Sequence, residues 1–213
     1  MAKLYLLDKD GTLTETLSGN VCANKRDDQI ILPNVKERLQ KLKDEGHHMG
    51  VISNQGGVSW GFMSEMEAWA IMERCNQMLD GVIANFQVNF YHEKAHTKTR
   101  WKNKAKPAPD MIIHALQDFK KAGLNFDEVH FVGDGFSDKE TAENFNATQK
   151  SESSSKYDND FIQFHWSHDF FGWEADDVVE NSFGYRWKRE YILAMIQGTW
   201  NGYTKKEEQE TMF

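Results

Sequence analysis

Along residues 3–145, short apolar runs alternate with stretches of helical period. Leu4-Tyr5-Leu6-Leu7 predicts a buried strand over residues 3–7. Residues 33–45 predict a helix, opened by Pro33, striped by Val35, Leu39 and Leu42, and closed by Gly46. His48-Met49-Gly50-Val51-Ile52 predicts a second strand. The next helix, over 64–80, carries a capping box in Ser64 and Glu67 and ends at Gly81. A third strand is expected within 82–91. A further helix follows over 109–122, with Pro109 in its first turn and Gly123 just beyond it. Val129-His130-Phe131-Val132 reads as a fourth strand, and Ser137 with Glu140 as a second capping box over a short helix to about Phe145.

This rhythm predicts an α/β fold, a parallel sheet covered by helices on both faces. Such sheets bind ligands beyond the carboxyl ends of their strands. Polar residues stand at those places: Asp8 after the first strand, Ser53-Asn54 after the second and Asp134 after the fourth. Residues 150–160 are polar and turn-prone and read as a mobile loop. From 161 the chain is rich in Phe and Trp, which predicts packing. Residues 187–197 read as a terminal helix and 204–213 as a charged, frayed end. One domain is expected over 1–213, with its core in 1–149 and an aromatic-rich extension in 150–213.

The chain has 213 residues, 39% of them hydrophobic and 13% aromatic, enough for a substantial core. Its net charge of −8 argues against binding nucleic acid through the whole surface, though not against a local basic groove. Cys22 and Cys75 match no metal or redox spacing, and Cys75 reads as a core thiol. No apolar run reaches membrane-spanning length and the N-terminus enters a strand directly, so a cytoplasmic protein is expected.

The first strand runs into Asp8-Lys9-Asp10-Gly11-Thr12. Alternation would place both carboxylates on one face, where they repel, and a divalent cation is the simplest remedy. Taken alone, the pentapeptide is equally a polar turn. Three further elements follow in order: Ser53-Asn54-Gln55-Gly56-Gly57, then Lys106 in Lys-Pro-Ala-Pro, then Gly133-Asp134-Gly135-Phe136-Ser137-Asp138. The series closely resembles the haloacid dehalogenase superfamily of phosphohydrolases over residues 3 to about 145.

The resemblance implies a Rossmann-like core and a Mg²⁺-dependent phosphomonoester hydrolase. Asp8 would be the nucleophile that forms an aspartyl-phosphate, and Asp10 the acid and then the base. Mg²⁺ would be held by the Asp8 carboxylate, the backbone carbonyl of Asp10 and Asp134, with Asp138 in support. Ser53, Asn54 and neighbouring backbone N–H groups would bind the phosphoryl oxygens, and Lys106 would neutralise charge.

Caps that set substrate class in this superfamily would fall in 12–48 or 57–103, and neither gap holds more than the sheet needs. A minimal cap or none is expected. The Asn54-Gln55-Gly56-Gly57 element resembles the capless subgroup, subclass IIIA-like. That group includes histidinol-phosphate and heptose-bisphosphate phosphatases and polynucleotide 3′-phosphatase. Two residues depart from the sugar-phosphate members: Ala105 stands where they often have Arg, and Asp110 where they tend to have Gly. In Lys98-Thr-Arg-Trp-Lys-Asn-Lys-Ala-Lys106, five cations surround one Trp. Arg100, Lys102 and Lys104 could therefore bind substrate by tracking a nucleic-acid backbone, or merely complement a small anion. The expected partner is a phosphorylated small molecule or a nucleic-acid 3′ end. A phosphotransferase is the lesser reading. His92 and His96 are four apart, but the cysteines of a zinc loop are missing, and exposed polar histidines are expected. His47-His48, His165 and His168 show no evident partners.

Overall fold

The computed structural model describes residues 2–20, 22–92, 104–152 and 161–173. Its elements are β1 (Leu4–Leu7), β2 (Thr14–Glu15), β3 (Ile30–Ile31), α1 (Val35–Asp44), β4 (His48–Asn54), a 3-10 turn (Gly56–Val58) and α2 (Glu65–Met78). β5 (Ile83–Asn89), α3 (Asp110–Lys121), β6 (Val129–Gly133), α4 (Phe136–Glu152), β7 (Ile162–Trp166) and α5 (Ser167–Phe171) follow.

Five strands form one sheet in the order β5-β4-β1-β6-β7, parallel at every pairing. β1 lies at its centre because its residues are apolar in both directions. Leu4 and Leu6 enter one core with Met111, Ile112, Ala115 and Phe119 of α3 and Ala142 and Phe145 of α4. Tyr5 and Leu7 enter the other with Val35, Leu39 and Leu42 of α1 and Ala68, Ile71, Met72 and Cys75 of α2. A strand buried on both faces reads as a continuous apolar run, so periodicity alone could find it. The Ser64 hydroxyl accepts from the Glu67 N–H at 3.1 Å, as a cap should. The chain leaves β1 for β4 on one side and crosses back to β6 on the other. The crevice at the carboxyl ends of β1 and β6 is therefore the place where the strand order reverses.

Several expectations are corrected. The gap after Thr12 carries a two-stranded antiparallel pair, β2 with β3, besides its helix. α4 starts at Phe136 and continues to Glu152, well past Phe145. Its first turn is not capped by Ser137 and Glu140: the Asp138 carboxylate reaches back to the Gly135 N–H at 2.9 Å. The run expected as a loop from 150 is helical to 152. The segment after 161 adds a fifth strand that pairs with β6. Asn146 fixes that strand with both halves of its amide, donating to the Ile162 carbonyl and accepting its N–H, each at 2.9 Å. The aromatics from Phe161 to Trp173 do pack, and the Trp173 indole donates to the Pro33 carbonyl at 2.6 Å. The predictions for 187–197 and 204–213 lie outside the described residues.

The histidines are not solitary. His47 Nδ1 accepts the Lys3 N–H at 3.3 Å, and His48 meets Phe119 and Phe126. His168 Nε2 lies 3.3 Å from Asp169. His130 Nδ1 stands 2.8 Å from His165 Nε2, and Tyr5 stacks on His130 at 4.6 Å. Burial holds both His130 and His165 below the usual imidazole value, and for His130 the charge of His165 adds to it. The unfolded chain therefore takes up protons before the folded one. Stability is complete above about pH 6.5 and falls as pH drops below it toward the lower folded values. Denaturation midpoints should consequently fall from pH 7.5 to 5.5, and fall less in a chain carrying both His130→Gln and His165→Gln. Equal losses in the two chains would show that the pair does not contribute.

Candidate active site

Asp8 follows β1 directly and is buried, with its N–H bonded to the Val132 carbonyl of β6 at 2.9 Å. Lys106, in the loop that opens α3, places its ammonium 2.6 Å from Asp8 Oδ1 and 2.6 Å from Asp138 Oδ1. Asp134 follows β6, and the carboxylates of Asp8, Asp134 and Asp138 offer oxygens that all lie within 4.8 Å of one another. Asp138 approaches so closely because Gly133 has no side chain: a Cβ there would lie 2.4 Å from the Asp138 Cβ.

Two buried carboxylates thus share one ammonium, with that of Asp134 beside them. Burial pushes the Asp8 carboxyl up to about 8; Lys106 opposes that, and the charges of Asp138 and Asp134 add to it. Burial also raises Asp138, again against Lys106. Burial disfavours the charged form of Lys106, but Asp138 and Asp8 more than offset it and hold the ammonium above its ordinary value. A cluster of oxygen donors with more negative charge than its lysine can balance fits a hard divalent cation such as Mg²⁺.

Asp10 does not join this cluster. Its carboxylate faces elsewhere, with Oδ1 2.7 Å from the Lys9 ammonium and Oδ2 accepting from Gln55 Nε2 at 2.7 Å. The repulsion expected between Asp8 and Asp10 is thereby relieved by two lysines, one for each carboxylate. Gly11, at φ +86°, lets the chain turn so sharply that the N–H groups of Thr12, Leu13 and Thr14 all reach the Lys9 carbonyl.

The residues at the carboxyl end of β4 and just beyond it divide their work. Ser53 is buried, and its hydroxyl accepts from Gln55 Nε2 at 3.0 Å while keeping its own proton to donate. Asn54 spends its side chain on the backbone of Lys106, accepting its N–H at 2.9 Å and donating to its carbonyl at 3.3 Å. The Gln55 N–H donates to the Asn89 carbonyl at 2.6 Å and is not available to a ligand. Lys104 is exposed, 3.7 Å from Asp110, so the acid that departs from the sugar-phosphate pattern has a cation beside it. Lys98, Arg100, Lys102 and His96 lie outside the described residues. The His92 ring lies 5.2 Å from Trp60. Sequence reasoning gave no role to Lys9 or to the Gln55 side chain. The one available signal was a lysine set between two aspartates at a strand end.

Fold and site together define a phosphatase of the haloacid dehalogenase superfamily. A family model described as polynucleotide kinase 3 phosphatase matches residues 3–171, and the chain belongs to that family. It is also similar to D-glycero-alpha-D-manno-heptose-1,7-bisphosphate 7-phosphatase of Mycobacterium bovis, 31% identical over 141 residues, which are 65% of this chain and 70% of that protein. D-glycero-D-manno-heptose-1,7-bisphosphate 7-phosphatase of Chlorobaculum tepidum is 27% identical over 150 residues, 65% of this chain and 72% of that one. Among solved structures, D,D-heptose 1,7-bisphosphate phosphatase from B. bronchiseptica, complexed with magnesium and phosphate, shares the fold. Its TM-score is 0.53 and its identity 18%, over 76% of this chain and 92% of that one. A had-like phosphatase structure from Mesorhizobium loti aligns with TM-score 0.59 and 19% identity, over 80% and 83% of the two chains. No helix among the described residues is long and apolar enough to cross a membrane.

Gly133→Ala should push the Asp138 carboxylate out of the cluster. The Mg²⁺ concentration for half-maximal phosphate release is expected to rise about tenfold or more, with an unchanged circular dichroism spectrum. An unaltered Mg²⁺ requirement would mean that Asp138 does not support the metal.

Proposed function

We propose that this phosphatase hydrolyses phosphomonoesters through an aspartyl-phosphate on Asp8, with Mg²⁺, and that its substrate is a phosphorylated sugar of the heptose-bisphosphate kind. The observation that supports the reaction is the cluster of Asp8, Asp134 and Asp138, with Lys106 on Asp8 and Asp138 and with Asp10 held apart from it. The substrate class rests on the names of the curated relatives.

The residues divide the reaction as follows. Asp8 attacks phosphorus in line while the bond from phosphorus to the ester oxygen breaks. Asp10 gives its proton to the departing oxygen, then takes one from the water that cleaves the aspartyl-phosphate and frees Asp8. Lys106 offsets charge on Asp8 and on the transferred group, and Ser53 donates its hydroxyl to a phosphoryl oxygen. Asn54 holds the backbone that delivers Lys106, which leaves its second Nδ2 proton for a phosphoryl oxygen. Bound by Asp8, Asp134, Asp138 and the Asp10 carbonyl, Mg²⁺ would neutralise the phosphoryl oxygens. The domain that does this is taken to be a single one over 1–213.

A second substrate, a nucleic-acid 3′ end, is favoured by a particular feature besides the family. Trp60 and Phe62 stand in the loop after Gly56-Gly57, near-parallel at 15° with centroids 6.5 Å apart, and Phe62 is 68% exposed. Exposed aromatics beside a phosphate site can stack a base.

Phosphate release with Mg²⁺ should be compared on a heptose 1,7-bisphosphate, histidinol phosphate, a 3′-phosphorylated oligonucleotide and a 5′-phosphorylated one. The heptose bisphosphate is expected to turn over fastest. Preference for the 3′-phosphorylated oligonucleotide would replace the sugar reading with the second one, and Phe62→Ala should then weaken the oligonucleotide about tenfold or more. Asp8→Asn should lower turnover about a thousandfold on every substrate without loss of fold. Turnover within tenfold of the parent would remove Asp8 as nucleophile.

A further inference from the structure

Lys9 is fully buried, an unusual place for an ammonium. It lies next in the chain to Asp8, so its side chain leaves on the opposite side and enters the core that contains Cys75. Its ammonium lies 2.7 Å from Asp10 Oδ1 and 3.1 Å from Thr14 Oγ1. On the other side of the same carboxylate, Gln55 Nε2 donates to Asp10 Oδ2 at 2.7 Å and to Ser53 Oγ at 3.0 Å. Each oxygen of Asp10 therefore has its own donor, one from the strand end that carries the nucleophile and one from the loop that carries the phosphate-binding hydroxyl. This orientation leaves the buried Oε1 of Gln55 without a hydrogen-bond partner among the described residues. Burying an ammonium and stranding an amide oxygen both cost stability, and apolar side chains at 9 and 55 would fill the same space without either cost. Both groups converge on a single carboxylate.

We infer that Lys9 and Gln55 are positioning residues for Asp10, holding its carboxylate at the leaving-group side and away from the cluster around Lys106. The inference rests on the reading of Asp10 as the acid and base. It has a consequence for leaving groups. An alkoxide needs the proton as the phosphorus–oxygen bond breaks, whereas p-nitrophenolate departs without one. Loosening Asp10 should therefore hurt alkyl phosphates selectively.

The test uses Gln55→Leu, Lys9→Met and Asp10→Asn, assayed with Mg²⁺ on p-nitrophenyl phosphate and on the best alkyl phosphate among those named above. Gln55→Leu is expected to lower kcat/KM, which ends at departure of the leaving group, about a hundredfold on the alkyl ester and less than tenfold on the aryl ester. Lys9→Met should show the same asymmetry where it folds; Gln55→Leu introduces no buried charge and carries the test if it does not. Asp10→Asn should show the asymmetry in larger measure. If Gln55→Leu lowers both substrates equally while Asp10→Asn remains selective, the positioning inference is overturned and the acid–base reading stands. If Asp10→Asn itself lowers kcat/KM, which ends at departure of the leaving group, equally on both, the acid reading fails and takes the inference with it.

Discussion

One ammonium serves two buried carboxylates, and much of this end of the sheet exists to keep it there. Lys106 lies 2.6 Å from both Asp8 and Asp138. Removing Lys106 would leave two carboxylates buried without their partner, the costly case for buried ion pairs. Each member is accordingly fixed from a separate direction. Pairing of β1 with β6 sets Asp8, the paired bonds from Asn54 set Lys106, and the Gly135 N–H with the bare Cα of Gly133 sets Asp138. Asp8, Lys106 and Asp138 come from three distant parts of the sequence. Only the folded parallel sheet brings them within hydrogen-bond reach.

The two aspartates of the opening motif lead separate lives. Asp8 belongs to a cluster short of positive charge, and Asp10 to a pair that is electrically complete with Lys9. That division keeps the two carboxylates from repelling each other, because each has a lysine of its own. A turn of three N–H groups on one carbonyl produces the division within a few residues of chain.

The central strands were legible because burial on both faces writes itself as an apolar run, and the helices because their caps and stripes are local. β2 and β3 are two residues each and carry no period to read. β7 was missed because Ile162-Gln163-Phe164-His165-Trp166 looks like any aromatic packing segment until β6 pairs with it. The far half of α4 has almost no apolar stripe; Asn146, tied to β7, shows that it is held by tertiary contact. Of the site, Asp8, Asp134, Asp138 and Lys106 could be named from motif order and strand ends. The duties of Lys9, Asn54 and Gln55 could not, since a sequence shows which donors are near but not which oxygen each one meets. His130 and His165 escaped for the same reason, being partners across neighbouring strands.

The fifth strand also changes what kind of sheet this is. Without β7, the strand that ends in Asp134 would be the margin of the sheet, with a row of open N–H and C=O groups along it. β7 takes those groups and moves the margin one strand away from the chemistry. A chain cut after residue 149 would keep every motif residue and still expose that row, inviting a second copy to pair where β7 belongs. The motif residues end at Asp138, but the piece that keeps β6 paired on both sides extends through Trp166.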